Sequence, residues 1–123
     1  MPDVPVSVGE LLDKISILRI KSERLTDAAK LANVRKELTA LETAARGYQC
    51  LFHERKLEQV NKALWDVEDA LRAAERDQVF DDTFVQLARS VYRLNDERSA
   101  IKRQINEMMD SEFVEEKSYD EAV

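Results

Sequence analysis

Glycine and proline are scarce in this chain, with two of each among 123 residues. Both prolines, Pro2 and Pro5, precede the first stretch that repeats its apolar residues periodically. Charged residues make up 36% of the sequence, which is more than the usual share of about a quarter. Because glycine and proline interrupt helices, their scarcity predicts long α-helices. The length fits a single domain.

The chain has one cysteine and one histidine, Cys50 and His53, and this excludes several kinds of site. A single cysteine cannot form an internal disulfide, which fits a reduced, cytoplasmic protein. The Cys-x-x-His pair supplies too few of the about four ligands that a structural zinc site needs, although two chains together could supply them. The interpretation that we favour is a buried or inert cysteine with an exposed histidine near a turn. We therefore predict no metal site.

Known catalytic patterns are also missing from the sequence. One histidine and no glycine-rich elbow leave no Ser-His-acid triad. No glycine-rich loop could hold a phosphate, since Gly9 and Gly47 stand far apart. The Glu-x-x-His motifs of di-iron bundles are absent. The sequence therefore predicts no catalytic residue and no cofactor.

An excess of positive charge is missing as well. The net charge is −6 at pH 7, and residues 110–123 contribute −5 of it, since six acidic residues stand there against Lys117. The body of the chain is thus near neutral, which argues against binding to nucleic acid. No signal peptide and no apolar run of membrane-spanning length occur. We therefore expect a soluble cytoplasmic protein without membrane insertion.

Four segments repeat their apolar residues at three-four spacing, which is typical of α-helices. The first follows a capping box, in which Ser7 accepts from the Glu10 amide and Glu10 reaches back to Ser7. Asp27 is predicted to cap the second helix. The apolar stripe of the first helix is Val8, Leu11, Ile15, Leu18, Ser22 and Leu25. The stripe of the second helix is Leu31, Val34, Leu38, Leu41, Ala45 and Tyr48.

The third and fourth helices follow two further connections. The stripes of helices two and three are out of phase across residues 47–54, which predicts a turn there, with a bent continuous helix as the alternative. Asp81 or Asp82 is predicted to cap the fourth helix, over residues 82–110. The third stripe is Leu57, Val60, Leu64, Val67, Leu71 and Ala74. The fourth stripe is Phe84, Leu87, Val91, Leu94, Arg98, Ile101, Ile105 and Met108.

Short connections between long helices place neighbours antiparallel. The sequence therefore predicts an all-α fold, an antiparallel up-down bundle of four helical segments with long helices packed as in coiled coils. Phe80 is expected to pack on Phe84 or Val85 as a hydrophobic staple before the fourth helix. We assign residues 1–110 to a single helical domain and residues 111–123 to a loosely ordered acidic tail. The tail side chains that could dock on the bundle are Phe113, Val114 and Tyr119.

A polar strip at residues 88–106, ARSVYRLNDERSAIKRQIN, is the best candidate for a binding site. The alternative is a solvated helix face with weak intrahelical ion pairs. Its predicted ligand- or partner-binding residues are Arg89, Tyr92, Arg93, Asn95, Asp96, Arg98 and Lys102. Arg98 is the single charged member of the four stripes, so it should pair with a neighbour, hold an anionic ligand or extend into water. The neighbours within reach are Glu10, Asp13, Glu42, Glu58 and Asn61.

Trp65, in the stretch NKALWDVED, allows two interpretations. Together with Glu68 it could frame a polar ligand. Alternatively, it seals the edge of the core while its indole N–H meets water or a carboxylate, and we favour this second interpretation.

The first helix is apolar on two sides, although a bundle helix needs one apolar stripe. Ile17 and Ile20 lie on the side opposite the main stripe. Such a second patch must be covered by another helix of the chain or by a second chain. We therefore predict a homodimer with Ile17 and Ile20 at or near its interface.

Three separated stretches resemble a family of small uncharacterised bacterial proteins. They are GELLDKISILRIKSERLTDAAKLANVRKEL, NKALWDVED and FVQLARSVYRLNDERSAIKRQIN, which contain the pattern ELxDKxSIL, KLANVRKEL, LWxxED and VYRxND in this order. The resemblance covers nearly the whole chain. It implies membership of a domain-of-unknown-function family that is associated with cell-surface polysaccharide genes and glycosyltransferases. It implies no catalytic residues.

Two functions remain open from the sequence. The one that we expect is a non-enzymatic helical interaction module that self-associates, has a further protein partner and serves polysaccharide synthesis. The alternative is a small all-helical enzyme, or a binder of an anionic metabolite, with the arginines of residues 89–103 as clamps. The stretch DKISILRIKSERL has a superficial likeness to the first helix of the chorismate mutase type.

Overall fold

The structure, a computed structural model, describes residues 1–118 and contains four α-helices in this part of the chain. They are α1 (Val8–Arg24), α2 (Ala28–Ala44), α3 (Leu51–Asp77) and α4 (Asp82–Met108). No strand occurs within the described residues. The predicted all-α bundle of four helical segments is confirmed. α3 and α4 have 27 residues each and are about 40 Å long, whereas α1 and α2 have 17 each and are about 26 Å long.

Side-chain caps begin three of the helices, as predicted. Ser7, Asp27 and Asp81 each accept a hydrogen bond from the backbone N–H three residues later, at 2.9 to 3.1 Å. The rings of Phe80 and Phe84 meet edge to face across the last of these caps, with centroids 5.2 Å apart. The predicted hydrophobic staple is therefore formed, and the start of α4 is defined on both sides of its cap.

A turn separates α2 from α3, so the alternative of a bent continuous helix is wrong. α2 ends at Ala44, residues 45–47 form a turn, and α3 begins at Leu51. Gly47 has φ +92°, a conformation that side chains with a Cβ rarely adopt. Tyr48, which the sequence analysis assigned to the stripe of the second helix, lies beyond the end of α2 and is 44% exposed.

α1 is the central helix of the bundle. It packs against α2, α3 and α4, whereas α2 packs on α1 alone within residues 1–118. α1 runs parallel to α3, because Asp13 and Arg24 near the two ends of α1 bond Asn61 and Asp66 in the same order along α3. α4 returns along α3 as its hairpin partner. The up-down order therefore holds, but the arrangement is a three-helix core with α2 on its outside.

The core lies where α1, α3 and α4 meet. Leu57 and Ile105 are 0% exposed, and Ile20 is 1% exposed. The buried cluster consists of Val8, Leu12, Ile15, Cys50, Leu57, Val60, Leu64, Ile101 and Ile105. In α2, Val34 is the buried member, because this helix has a single neighbour. The three leucines of its predicted stripe are half-exposed, namely Leu31, Leu38 and Leu41.

The distal parts of α3 and α4 form an arm that α1 does not cover, defined here as residues 67–93. α1 ends at Arg24, whose guanidinium bonds the carboxylate of Asp66 at 2.6 Å. α3 continues for eleven residues beyond that contact, which is about 17 Å. No residue from 65 to 100 is buried. The stripe residues that meet along the arm are therefore half-exposed, and they are Val67, Leu71, Ala74, Phe84, Leu87 and Val91.

The described part of the acidic tail, residues 111–118, contains no α-helix. Phe113 and Val114 are 48% and 37% exposed, so neither of them docks into the core. Tyr119, the third residue considered for docking, lies outside the described residues. The tail contacts α4 through two exposed glutamates: Glu115 bonds Lys102 and Glu116 bonds Arg103.

Ser111 belongs structurally to the bundle, although the sequence analysis placed it in the tail. Its N–H donates to the carbonyl of Asn106 at 2.8 Å, and Asp110 between them has φ +52°. This is the usual way in which a left-handed residue closes a helix. The Ser111 hydroxyl oxygen also accepts from the Val8 N–H at 3.2 Å. Ser111 thus joins the end of α4 to the start of α1.

A chain that ends at Glu112 is expected to lose less than about 1 kcal/mol of unfolding free energy, because the removed ion pairs involve exposed glutamates. A chain that ends at Asp110 should lose about 1 kcal/mol more, since Ser111 and its two hydrogen bonds are removed as well. Urea unfolding of the two shortened chains and the full chain measures both differences. A loss above about 2 kcal/mol for the chain ending at Glu112 would mean that tail side chains are buried against the bundle.

Candidate functional site

A cluster of buried polar side chains lies where α1, α3 and α4 meet, and Asn61 of α3 is at its centre. Asn61 is 5% exposed. Its amide nitrogen donates to the Asp13 carboxylate at 2.9 Å and to the Ser16 hydroxyl oxygen at 3.2 Å. Both acceptors lie on α1, about one turn apart, and are themselves buried. Because the amide nitrogen is used twice, the amide oxygen is left to accept from the remaining direction.

Arg98 of α4 donates to that oxygen. Its Nη1 bonds Asn61 Oδ1 at 3.2 Å, and its Nη2 bonds Asn95 Oδ1 at 2.6 Å. Arg98 is half-buried, and within residues 1–118 no carboxylate forms an ion pair with it. Two predicted partners, Glu42 and Glu58, pair with other cations. Of the neighbours predicted for Arg98, the neutral Asn61 is the one that bonds it.

Lys102, rather than Arg98, faces the nearby carboxylates. Its Nζ lies 2.6 Å from Glu10, 3.2 Å from Glu115 and 3.7 Å from Asp13. The Glu10 carboxylate therefore bonds Lys102. It does not make the predicted capping-box bond back to the Ser7 N–H. The Lys102 side chain is 12% exposed. Burial alone would lower the pKa of Lys102, but the hydrogen bond to Glu10 and the charge of Asp13 outweigh it and raise the pKa. Lys102 is thus a charged link between α1, α4 and the tail.

The polar strip predicted on α4 divides into an inner and an outer part. The inner residues, Asn95, Arg98 and Lys102, are half-buried, and Arg98 and Lys102 bond other helices. The outer residues are exposed, and they are Arg89, Tyr92, Arg93 and Asp96. On this outer part, a hydrogen bond from Arg89 to the Tyr92 phenol lowers the pKa of Tyr92. The strip is therefore more than a solvated helix face, and its role in binding stays a prediction.

Gly9 of α1 allows α1 and α4 to approach closely. Its N–H donates to Asn106 Oδ1 at 2.6 Å, and a Cβ at Gly9 would lie 2.6 Å from the carbonyl oxygen of Lys102. Asn106 is 2% exposed. Neither Gly9 nor Asn106 lies on one of the predicted apolar stripes. The signal that could have found this face is a second stripe of α1 at three-four spacing, namely Gly9, Asp13, Ser16 and Ile20.

Ile20 lies in this second stripe and is 1% exposed within the single chain. A second chain is therefore not needed to cover Ile20, and a homodimer interface at or near this residue stays a prediction of the sequence. The reason is the central position of α1, whose second apolar side is covered by helices of its own chain. Ile17, the other predicted interface residue, is half-exposed.

His53 is buried, whereas the sequence analysis expected an exposed histidine. Its Nδ1 lies 3.3 Å from the Cys50 Sγ, and its Nε2 lies 3.1 Å from Gln104 Oε1 of α4. His53 and Cys50 are 9% and 7% exposed. The described residues contain no group of three His, Cys, Asp or Glu side chains that could hold a metal ion. The burial of Cys50 and His53 within the single chain also argues against a zinc ion shared between two chains. His53 joins α3 to α4 through its contact with Gln104.

Two open grooves lie beside Arg98, and both include Asn95. The first, called the Trp65 groove, has a volume of about 490 Å³. Its walls include Ile20, Lys21, Leu64, Trp65, Glu68 and Arg72. The second, called the Tyr92 groove, has a volume of about 610 Å³. Its walls include Val91, Tyr92, Asp96, Ser99, Lys102 and Lys117.

Trp65 is half-buried at the edge of the core and also lines the groove named after it. The Arg24 guanidinium lies 5.8 Å from the centroid of its ring and bonds the neighbouring Asp66. The interpretation of Trp65 as a boundary residue is therefore compatible with the structure. Because Trp65 and Glu68 line the same groove, the alternative of a ligand-framing pair stays open as well.

These features define a helical bundle with a polar cluster buried between three of its four helices. The chain belongs to a family of unknown function, DUF6165, whose family model matches residues 2–123. The membership implied by the three resembling stretches is thus confirmed. No curated protein and no solved structure matches the chain. In the described part of the chain, no helix combines the length and the apolar character that a membrane crossing requires.

Proposed function

We propose that this protein is a non-enzymatic helical assembly module that associates with a second copy of itself through its arm. The observation that supports the proposal is the absence of any buried residue from 65 to 100, although both helices of the arm have apolar stripes. Two helices cannot enclose such stripes, whereas four helices can. Association of two arms would therefore bury apolar surface that the single chain leaves half-exposed.

The arm also has apolar side chains outside the stripes along which its two helices meet. Val85 and Tyr92 of α4 are 49% and 53% exposed. Ala88 lies between them and is exposed too, and this three-four spacing places the three residues on one face of α4. Arg89 and Arg93 flank this face. An apolar strip with a charged rim is the usual composition of a protein interface.

Charge complementarity favours a second copy as the partner. The exposed charges of the arm on α3 are four acidic residues, Glu68, Asp69, Glu75 and Asp77, and two arginines, Arg72 and Arg76, so this side is net negative. The exposed charges of the arm on α4 are Asp82, Arg89 and Arg93, so that side is net positive. A two-fold arrangement that places α4 of one copy on α3 of the other brings opposite charges together. Two-fold symmetry repeats this contact, so each dimer would contain it twice.

The proposal keeps the homodimer that the sequence predicts but moves its interface from α1 to the arm. Ile17 and Ile20 are not part of the proposed interface. The link with polysaccharide synthesis stays a prediction of the resemblance, and so does the further protein partner.

Sedimentation equilibrium is expected to give a mass of about twice the 14.2 kDa of the chain at about 50 µM protein. Replacing Val85 and Tyr92 by aspartate should raise the dissociation constant of the dimer by at least about tenfold, because charges would then enter an apolar contact. The helix content by circular dichroism should not change, since both positions are exposed in the single chain.

The matched control replaces Val4 and Val6 by aspartate, which adds the same two charges at positions that are 71% and 44% exposed and precede α1. This variant should associate like the unchanged protein. A monomer at about 50 µM, or a Val85→Asp, Tyr92→Asp variant that dimerises as strongly as the control, would contradict the proposal.

A further inference from the structure

We propose that the Trp65 groove is a binding site for a small organic anion, whose carboxylate or phosphate group bonds Arg98. The inference rests on Arg98 and not on self-association, although Glu68 and Asp69 belong both to this groove and to the acidic face of α3 in the arm. It begins with the surroundings of the Arg98 guanidinium, which is charged at every physiological pH. Both of its bonds within residues 1–118 go to neutral amide oxygens, those of Asn61 and Asn95. A half-buried cation without a counter-ion is costly, and an anion in the groove would remove that cost.

The guanidinium is held in place before any anion arrives. Asn61 cannot turn away, because its amide nitrogen is bonded to Asp13 and Ser16. Asn95 binds the guanidinium from within α4, one turn before Arg98. A fixed fork of donors suits both carboxylate and phosphate oxygens, and less side-chain freedom is lost when it binds.

The two carboxylates of the polar cluster are occupied elsewhere, and Glu68 and Asp69, which line the same groove, form no ion pair with Arg98 within residues 1–118. Asp13 accepts from Asn61 and lies 3.7 Å from the Lys102 ammonium, and Glu10 bonds the same ammonium at 2.6 Å. The cluster therefore directs its acidic side chains to Lys102 and leaves Arg98 with amides.

The same comparison decides between the two grooves. In the Tyr92 groove, the ammonium groups of Lys102 and Lys117 both pair with Glu115. The chain thus supplies its own anion there. In the Trp65 groove, the three cations are Lys21, Arg72 and Arg98, and the two acidic residues are Glu68 and Asp69. The lining charge of the Trp65 groove is therefore positive by one. The Tyr92 groove also includes Arg98 and is positive by two before Glu115 is counted, so the choice rests on the pairing of Lys102 and Lys117 with Glu115 and not on net charge.

The size and walls of the Trp65 groove define the rest of the ligand. About 490 Å³ lies within the range of about 300–1,000 Å³ that is usual for small-molecule sites. Ile20, Leu64 and Trp65 form an apolar wall, against which a short carbon skeleton can pack. Glu68 and Asp69 can accept hydrogen bonds from hydroxyl groups. A small carboxylate or phosphate ester with hydroxyl groups fits these walls.

The test uses two probes, succinate and inorganic phosphate, because carboxylate and phosphate would bond Arg98 in the same way. Each is titrated to about 50 mM into ¹⁵N-labelled protein, with sodium chloride adjusted to constant ionic strength. The signals observed are the Arg98 Nε–H and the indole N–H of Trp65, which is the single tryptophan of the chain. Saturable shifts of both signals, with a dissociation constant below about 20 mM, are expected for at least one probe.

A comparison of the succinate and phosphate titrations also identifies the anion. Saturation by succinate alone indicates a carboxylate ligand, and saturation by phosphate alone indicates a phosphate ester. Shifts that grow linearly for both probes, or that equal those in sodium chloride alone, would overturn the proposal and leave the groove as a solvated surface.

Variants show whether Arg98 binds the anion. Arg98→Gln keeps an amide donor but removes the charge, and it should weaken binding by at least about tenfold. Arg35→Gln removes the same charge from the exposed side of α2, away from both grooves and from the arm, and should bind like the unchanged protein. Arg72→Gln tests the opposite wall and should weaken binding about threefold, even if the Arg98 variant fails to fold. Equal affinity in the Arg72 and Arg35 variants would contradict the proposed site.

Discussion

Replacing Gly9 by alanine is expected to destabilise the protein by about 1–3 kcal/mol, because the added methyl group overfills the contact between α1 and α4. The new Cβ would lie 2.6 Å from the Lys102 carbonyl oxygen and 2.9 Å from Asn106 Oδ1. The first of these atoms belongs to the backbone of α4 and cannot turn away, so the two helices must separate. That separation would also lengthen the 2.6 Å bond from the Gly9 N–H to Asn106.

The sign of this effect distinguishes packing from helix propensity. Inside an isolated helix, glycine to alanine stabilises by about 1 kcal/mol. The matched control is Ala32→Gly on the exposed side of α2, which should cost about 1 kcal/mol through propensity alone. Urea unfolding measures both variants. A Gly9→Ala protein that is more stable than the unchanged one would show that α1 and α4 are not in close contact at Gly9.

Replacing Asn61 by alanine should lower the unfolding free energy by about 3 kcal/mol or more, because one side chain holds together three helices. The change removes the bonds to Asp13, Ser16 and Arg98. Asp13 is 5% exposed and would keep only Lys102, at 3.7 Å, as a partner. A buried carboxylate that loses a donor has a large desolvation cost. The alanine also leaves a cavity between α1 and α3.

Asn33→Ala is the control for this variant, since Asn33 is exposed on α2 and its replacement should change stability by less than about 0.5 kcal/mol. If Asn61→Ala also lost less than about 1 kcal/mol in urea unfolding, the polar cluster would not contribute to holding α1, α3 and α4 together.

The same cluster changes what is expected of Arg98→Leu. From the sequence, an unpaired charge on an apolar stripe suggests that leucine would be tolerated or stabilising. In the structure, leucine leaves the buried oxygen of Asn61 without a donor, which costs about 1–3 kcal/mol. For this reason Arg98→Gln, which retains a donor, is the better variant for binding studies.

Local features of the fold could be predicted because they depend on neighbouring residues. Ser7, Asp27 and Asp81 cap helices as expected, since a cap needs only a short side chain and the next three amides. The turn before α3 follows from a phase shift between two stripes and from the conformation of Gly47. These signals are contained within a few residues of sequence.

The packing of the helices could not be predicted in the same way, because it depends on which elements meet. Leu11 was assigned to the core but is half-exposed, whereas Asp13 and Ser16 are buried. The reason is that α1 touches three helices and needs two buried faces. A polar residue such as Asp13 is conventionally placed on a solvated face, unless a donor such as Asn61 is known to lie opposite. The arm could not be predicted, because the sequence does not show that α1 ends beside Asp66 while α3 continues to Asp77 and α4 begins at Asp82.

The candidate site was partly predictable for the same reason. Arg98 was recognised because a charge on an apolar stripe is unusual within α4 alone. Its bond to Asn61 required the two residues to be level along the bundle, which the up-down order determined. The pairing of Lys102 with Glu10 could not be foreseen, since the capping-box pattern assigns the Glu10 carboxylate to a local bond that it does not make in the structure.

The most direct test of arm-mediated self-association is a charge exchange between two variants. One variant has Arg89→Glu and Arg93→Glu on α4, and the other has Glu68→Arg and Glu75→Arg on α3. Each variant alone should sediment as a monomer, because like charges then meet in both contacts of the dimer. An equimolar mixture should sediment as a dimer, since both contacts regain opposite charges. Two variants that each dimerise alone, or a mixture that stays monomeric, would contradict the proposed interface.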